Sequence, residues 1–94
     1  MKIRDLRARM RGLDIRATVI DKSEPIKKGG KLYSDATLKD ETGEIYLNLW
    51  RNQVVQIQVG DIITVPNAFV QRRHGILQVS TWSDLIVLSH DKTE

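Results

Sequence analysis

One stretch of this sequence, GEIYLNLWRN at residues 43–52, contains a tryptophan that is followed directly by an arginine. Read with a period of two, the stretch has an apolar face and an opposite face: Ile45, Leu47 and Leu49 on the first, Tyr46, Asn48 and Trp50 on the second. Trp50 therefore lies off the apolar face of its strand, with Arg51 directly beside it. An exposed aromatic ring can stack on a nucleic-acid base, and a nearby cation can neutralise a phosphate.

Side chains of the same two kinds recur elsewhere in the chain. Phe69 and Trp82 add aromatic rings, and two predicted loops are basic, one with Lys27, Lys28 and Lys31 and one with Arg72 and Arg73. A single basic cluster is usually a solvated face, but several on the loops of one small domain favour an anionic partner. The candidate nucleic-acid-binding residues are therefore Tyr46, Asn48, Trp50, Arg51, Lys28, Lys31, Phe69, Arg72, Arg73 and Trp82.

The elements that must position these side chains are mostly strands. Residues 1–12 are basic and carry Ile3, Leu6 and Met10 at helical spacing, which predicts a short N-terminal helix or turn that plugs one end of a core. About five or six strands follow, and residues 89–94 form a polar tail that we expect to fray. The predicted strand segments are residues 13–19, 33–39 and 43–50, the stretch VGDIITV, two segments joined at RRHG, and DLIVL.

The connections carry turn residues. DKSEPIKKGGKLYS is predicted to be a long flexible connection, and RNQVVQIQ one loose turn that covers the barrel bottom with Val54, Val55 and Ile57. In the DETG hairpin we expect Gly43 to take a positive φ and Asp40 to bond back to the turn backbone. Pro66 requires a strand end, an edge or a bulge.

This element order predicts a single all-β domain over residues 1–94. A sheet of five strands must close on itself or pack against another layer, and the chain is too short to supply that layer. A small five-stranded Greek-key barrel, the OB-fold, fits best, with an SH3-like barrel as the alternative. In such a barrel Trp50 or Trp82 could also cover an open end, Tyr46 could be a cross-strand partner of Thr37 or Asp35, and Phe69 could belong to the core.

The run D-x-T-G-x-I-x-L-x-x-W from Asp40 to Trp50, followed by VGDIITV, resembles the single-OB-fold, replication protein A-like single-stranded-DNA-binding proteins of archaea. The resemblance extends from Leu13 to Leu88. It implies a non-catalytic domain in which Trp50 and Phe69 stack on bases. The family tends to have further aromatics where this chain has Arg73 and Ser80, and Trp82, on the strand phase of Ser80, is the candidate replacement.

The function predicted from these features is binding of single-stranded DNA with low sequence preference, in replication, repair or recombination. Binding of single-stranded RNA or tRNA is one alternative, because the same ring surfaces accept RNA. The other is a protein-interaction module of a replication or repair assembly, with Tyr46 and Trp50 as interface anchors.

Composition and residue spacing argue against several other functions, including catalysis and metal binding. The 94 residues contain 15 Lys and Arg, 12 Asp and Glu, and no cysteine, so no disulfide or thiolate site is available. We expect no enzyme, metal or cofactor, because His74 lacks a second ligand, His90 lies in the tail, and the acidic residues of the DETG turn are best explained as solvated. An OB-fold nuclease ranks last. Without a long apolar run, the protein is predicted to be soluble and cytoplasmic, nucleoid-associated if prokaryotic, with replication or repair proteins as further partners.

Overall fold

Alternating apolar and polar side chains produce strands along most of the chain in the computed structural model, which describes residues 1–90. A 3₁₀ helix spans Ile3–Asp5 and a short helix α1 spans Gln53–Gln56. The strands are β1 (Leu13–Lys22), β2 (Ile26–Lys28), β3 (Lys31–Asp40), β4 (Gly43–Trp50), β5 (Asp61–Arg73), β6 (Ile76–Ser80) and β7 (Ile86–His90). The predicted tail therefore begins too early, because β7 continues through His90; residues 91–94 lie outside the described residues.

The sheet closes into a barrel. Its order is β1-β3-β4-β6-β5-β7, and β1 also pairs with β5, which joins the first barrel strand to the fourth. Strands β4 and β6 run parallel, and the other pairs are antiparallel. Strands β2 and β7 are additions at the edges, on β3 and β5. The five remaining strands confirm the predicted five-stranded Greek-key barrel of the OB class.

The inward phase of each barrel strand forms one core. Within β4 the buried apolar side chains are Ile45, Leu47 and Leu49, as the period of two predicts. Helix α1 covers one end of the barrel with Val54 and the adjoining Ile57, whereas Val55, which was also expected there, is 72% exposed. A helix of one turn presents only part of its circumference to the barrel; here Gln53 and Val54 take the buried positions and Val55 faces solvent.

The N-terminal segment plugs the barrel as predicted. Ile3 and Leu6 are buried, and Met10 packs against the core. Farther along, the backbone N–H of Arg9 donates to the carbonyl of Val70 and the N–H of Val70 donates to that of Met10, both at 2.9 Å. These bonds hold residues 9–10 beside β5 although they follow only a single 3₁₀ turn.

Two connections differ from the sequence-based expectation. The lysine-rich connection is not a flexible loop: β2 pairs with the start of β3, and Gly29 and Gly30 supply the two positive φ angles of a tight hairpin. In the DETG turn, Asp40 does accept hydrogen bonds from the N–H groups of Thr42 and Gly43. Gly43 pairs with Asp40 as a strand residue without positive φ, because the loop contains only residues 41–42.

The irregularity expected at Pro66 is a bulge inside β5. Leu13 pairs with Ala68 and Ile15 with Val65, so three steps on β5 match two on β1. Asn67, at the bulge, has a φ of 52°. Within residues 1–90, no helix combines the length and apolarity that crossing a lipid bilayer requires.

Candidate nucleic-acid interface

The strand register gathers the outward-facing side chains of four strands on one surface. Across β3 and β4, Tyr33 lies opposite Trp50, Asp35 opposite Asn48, and Thr37 opposite Tyr46. Gln78 of β6 is paired with Tyr46 on one side and with Gln71 of β5 on the other. Phe69 is paired with Ser80 on the same phase. The barrel thus presents a continuous outer face over β3, β4, β6 and β5.

Trp50 rests on an aromatic neighbour on this face. Its ring centroid is 4.4 Å from that of Tyr33, with 56° between the ring planes. Lys28 Nζ lies 4.7 Å from the centroid of the same tyrosine ring, within cation–π distance. Trp50 is half-buried, and Tyr33 supports its ring from one side. Tyr33, which is not among the candidate residues of the sequence analysis, is the supporting residue.

The hydroxyl of Tyr33 is fixed as well. It donates a hydrogen bond to the carboxylate of Asp35 and accepts one from Asn48 Nδ2 at 3.1 Å. Burial, followed by the hydrogen bond and negative charge of Asp35, raises the pKa of the Tyr33 phenol to about 12. The ring under Trp50 is therefore neutral and held in one orientation at physiological pH.

Asn48 lies on the predicted face, but its side chain is only 1% exposed. Besides Tyr33, its Nδ2 donates to Asp35 at 3.0 Å and to Gln78 at 2.8 Å, and its Oδ1 accepts from the Ser80 hydroxyl at 2.9 Å. These contacts tie β3, β4 and β6 together beneath the surface. A direct contact between Asn48 and a ligand is therefore corrected to an internal role, because neighbouring side chains cover the amide and use its hydrogen-bonding capacity.

A second aromatic pair lies across the face from Trp50. The rings of Phe69 and Trp82 are 6.0 Å apart at 30° and stack. Phe69 stands between buried Ala68 and Val70 and faces outward, so it does not belong to the core. Trp82 is 87% exposed, which removes the explanation that it serves as a lid packed over the barrel mouth. Its open ring is a flat apolar surface available to a base.

Buried Gln53 of α1 connects the two tryptophan regions. Its Oε1 accepts a hydrogen bond from the backbone N–H of Trp50 at 3.1 Å. Its Nε2 donates to the carbonyls of Thr81 and Ser83, each at 2.8 Å, on both sides of Trp82. Nothing in the pattern of RNQVVQIQ distinguishes this glutamine from Gln56 and Gln58, so only the folded chain identifies its position.

An open groove of about 440 Å³ separates Trp50 from Trp82; we call it the aromatic groove. Three basic side chains line it, Lys31, Arg51 and Arg73, together with one acidic residue, Asp84. The groove thus combines two aromatic rings with a net positive lining. Those are the two features that a single strand needs, flat surfaces for bases and charge for phosphates.

The structure does not bring all candidate residues into this groove. Lys28 and Phe69 do not line the groove. Lys28 contacts Tyr33, which supports Trp50, and Phe69 stacks on Trp82. Arg72 faces a neighbouring groove with Phe69. Tyr46, 45% exposed, lines a separate cavity with Ile3 and Ile76. Among residues 1–90, no group of three or more His, Cys, Asp or Glu side chains is arranged to hold a metal ion.

Comparison with known sequences identifies one relative of known activity. No protein-family model matches the chain. A single-stranded-DNA-binding protein from Saccharolobus solfataricus is 28% identical over 86 residues, which cover 87% of this chain and 58% of the relative. The chain thus spans somewhat more than half the length of that protein.

Solved structures with the same fold include several archaeal domains. A domain of replication protein A from Methanococcus maripaludis superimposes with a TM-score of 0.84 at 24% identity, covering 98% of both chains. An OB domain from Thermoplasma acidophilum gives 0.78 at 19% identity, covering 100% of this chain and 91% of its own. A replication factor A related protein from Methanobacterium thermoautotrophicum gives 0.76 at 17%, covering 95% and 90%. The predicted resemblance is confirmed: the chain has the OB fold of archaeal replication protein A domains and is similar in sequence to an archaeal single-stranded-DNA-binding protein.

Proposed function

We propose that this domain binds single-stranded DNA without catalysis and with low sequence preference. Bases stack on Trp50 and on Trp82, and Phe69 supports the second ring from behind. Lys31, Arg51 and Arg73 neutralise the phosphates between them, and Lys28 adds charge beside Tyr33. The domain acts on single strands that are exposed during replication, repair or recombination. In a prokaryotic cell it is cytoplasmic and associated with the nucleoid.

The observation that carries this proposal is the aromatic groove itself. A tryptophan that is 87% exposed and a second one supported by Tyr33 flank three cations. Leaving a large ring in water is unfavourable for the free protein, whereas stacking on a base is worth about 1–3 kcal/mol and is available with every base. Similarity to the Saccharolobus protein supports the same partner.

Tryptophan fluorescence tests the proposal directly, because Trp50 and Trp82 are the two tryptophans of the chain and both line the groove. We expect oligothymidylate to quench the fluorescence at low salt. Trp50→Ala should weaken binding about 5- to 150-fold, the equivalent of about 1–3 kcal/mol. Tyr46→Ala is the matched control: it removes an aromatic side chain of the same strand outside the groove and should change affinity less than about twofold.

Two results would contradict the proposal at different levels. If the parent protein neither changes fluorescence nor forms a complex with any single strand, the nucleic-acid function is wrong. If Trp50→Ala binds as tightly as the parent, stacking on Trp50 is wrong. Parallel titrations with oligouridylate and with duplex DNA show whether RNA is an equal partner and whether unpaired bases are required.

A further inference from the structure

A second groove lies next to the aromatic groove. It lies between the N-terminal segment and strand β5 and has a volume of about 780 Å³. Four arginines line it, Arg9, Arg11, Arg72 and Arg73, with Phe69 on the same wall. Within the described residues 1–90, no Asp or Glu lines it, whereas the aromatic groove includes Asp84. We call it the basic groove.

The two grooves are adjacent. Arg73 lines both of them. Phe69, on the wall of the basic groove, stacks on Trp82, which lines the aromatic groove. The Phe69–Trp82 contact and Arg73 therefore lie between the two grooves.

The fold holds Arg9 and Arg11 beside β5. Two backbone hydrogen bonds of 2.9 Å join Arg9 and Met10 to Val70. Between the two arginines, Met10 packs against the core. The positive φ angles of Arg9 and Gly12 turn the chain on either side of this short paired stretch. The arginines therefore lie on backbone fixed to the barrel, so little chain entropy is lost when they bind a ligand.

Among residues 1–90, the arginines of this groove form no ion pair. In the part of the chain that the structure describes, the ion pairs join Lys2 to Glu41 and Arg4 to Asp5, and none involves an arginine of the basic groove. Arg72 donates a hydrogen bond to the carbonyl of Gly75 at 3.3 Å, which leaves its charge uncompensated. Four like charges on one concave surface fit a polyanion better than a solvated face, where both signs are usually interspersed.

We propose that the basic groove extends the single-stranded-DNA track beyond the aromatic groove by binding backbone phosphates, with Arg9 and Arg11 as contacts supplied by the N-terminal segment. This inference rests on the proposed function of the aromatic groove. Because the basic groove contributes charge and only one ring, Phe69, it binds the sugar-phosphate chain and adds little sequence preference. It lengthens the site rather than creating a separate one.

The test compares oligothymidylates of about 4 and about 12 nucleotides, one at the lower limit and one well inside the range of about 4–16 nucleotides that single OB folds cover. The variant Arg9→Gln/Arg11→Gln removes two charges from the basic groove. The matched control Arg16→Gln/Lys39→Gln removes two charges from another surface of the barrel that shares no residue with either groove. Thermal unfolding of each variant verifies that the fold is retained.

We expect Arg9→Gln/Arg11→Gln to bind the longer oligomer about tenfold more weakly at low salt, with a slope of log affinity against log salt that is shallower by about 1.4. The short oligomer should change less than about twofold, and the control should change little with either oligomer. Unchanged affinity and slope for the longer oligomer, or equal losses on both oligomers, would overturn the extension alone. If the parent binds neither oligomer, the proposed function fails, and the extension fails with it.

Discussion

At the scale of single residues, the two tryptophans are prepared for a ligand in different ways. Trp50 is half-buried on Tyr33, whose hydroxyl is fixed by Asp35 and Asn48. Trp82 contacts Phe69 and otherwise faces solvent. Binding should therefore order Trp82 more than Trp50, and the entropy cost of binding should fall mainly on the second ring.

Asn48 gives the first prediction at this scale. Replacing it with alanine leaves Ser80 and Gln78 without their hydrogen-bond partner beneath the surface. Buried polar groups left unsatisfied cost about 1–3 kcal/mol each, so we expect Asn48→Ala to lower the free energy of unfolding by about 2–3 kcal/mol in urea denaturation.

Asn52→Ala is the matched control for Asn48. It removes the same side chain from an exposed position where the amide makes no capping hydrogen bond, and should cost less than about 0.5 kcal/mol. Equal stability of the two variants would show that the buried network does not stabilise the sheet. A large affinity loss in Asn48→Ala without a stability loss would instead restore Asn48 as a direct ligand contact.

At the scale of elements, helix α1 positions the segment that carries Trp82. Gln53 makes the connection, because its side-chain amide forms hydrogen bonds with the backbone N–H of Trp50 in β4 and with the carbonyls of Thr81 and Ser83. Gln53→Ala removes all three bonds. We expect the amides of residues 81–85 to exchange with deuterium about tenfold faster, because local opening of that segment becomes easier by about 1.4 kcal/mol. Affinity for oligothymidylate should fall with it.

Gln58→Ala provides the comparison for Gln53. Gln58 is exposed, and within residues 1–90 its side chain makes no hydrogen bond, so its removal should leave exchange at residues 81–85 unchanged. If Gln53→Ala also leaves that exchange unchanged, the hydrogen bonds of Gln53 do not hold the Trp82 segment.

Elements were also the scale at which the sequence was most informative. The period of two identified the buried apolar face of β4 and correctly placed Trp50 off it. It did not reveal that Asn48 is covered, because alternation reports which face a side chain lies on and not what packs above it. The support of Trp50 by Tyr33 required the antiparallel register across a two-residue turn, which the expectation of a longer loop obscured.

Long-range placement was beyond the sequence. Gln53 resembles its glutamine neighbours, and its partners lie 28 and 30 residues away. The basic N-terminus was evident from composition, yet its position beside Phe69 depends on backbone hydrogen bonds to Val70, which no side-chain pattern encodes. Such contacts follow from barrel closure rather than from local propensity.

At the scale of the whole molecule, the N-terminal segment is attached to the barrel at two places. One is the pairing with β5. The other is the β3–β4 turn, where the N–H of Ile3 donates to Asp40 Oδ2 at 2.8 Å and the N–H of Arg4 donates to the Thr42 hydroxyl at 3.1 Å. Loss of the second attachment would release Ile3 from the core and loosen the segment that carries Arg9 and Arg11.

Asp40 makes that attachment dependent on pH. Burial alone would raise the pKa of its carboxyl, but hydrogen bonds from the Thr42 hydroxyl and from the N–H groups of Ile3, Thr42 and Gly43 outweigh it and hold the pKa below the ordinary value of 3.8. A lowered folded-state pKa stabilises the protein above 3.8, and this contribution is lost as the pH falls through the folded value.

Asp40→Asn should therefore unfold at lower urea concentration at pH 7, by about 1–2 kcal/mol, and should lose less stability than the parent on acidification. Glu24→Gln, at an exposed carboxylate, is the matched control and should change the free energy of unfolding at pH 7 by less than about 0.5 kcal/mol. Parallel acid dependence of Asp40→Asn and the parent would show that the Asp40 carboxylate does not couple the N-terminal segment to pH.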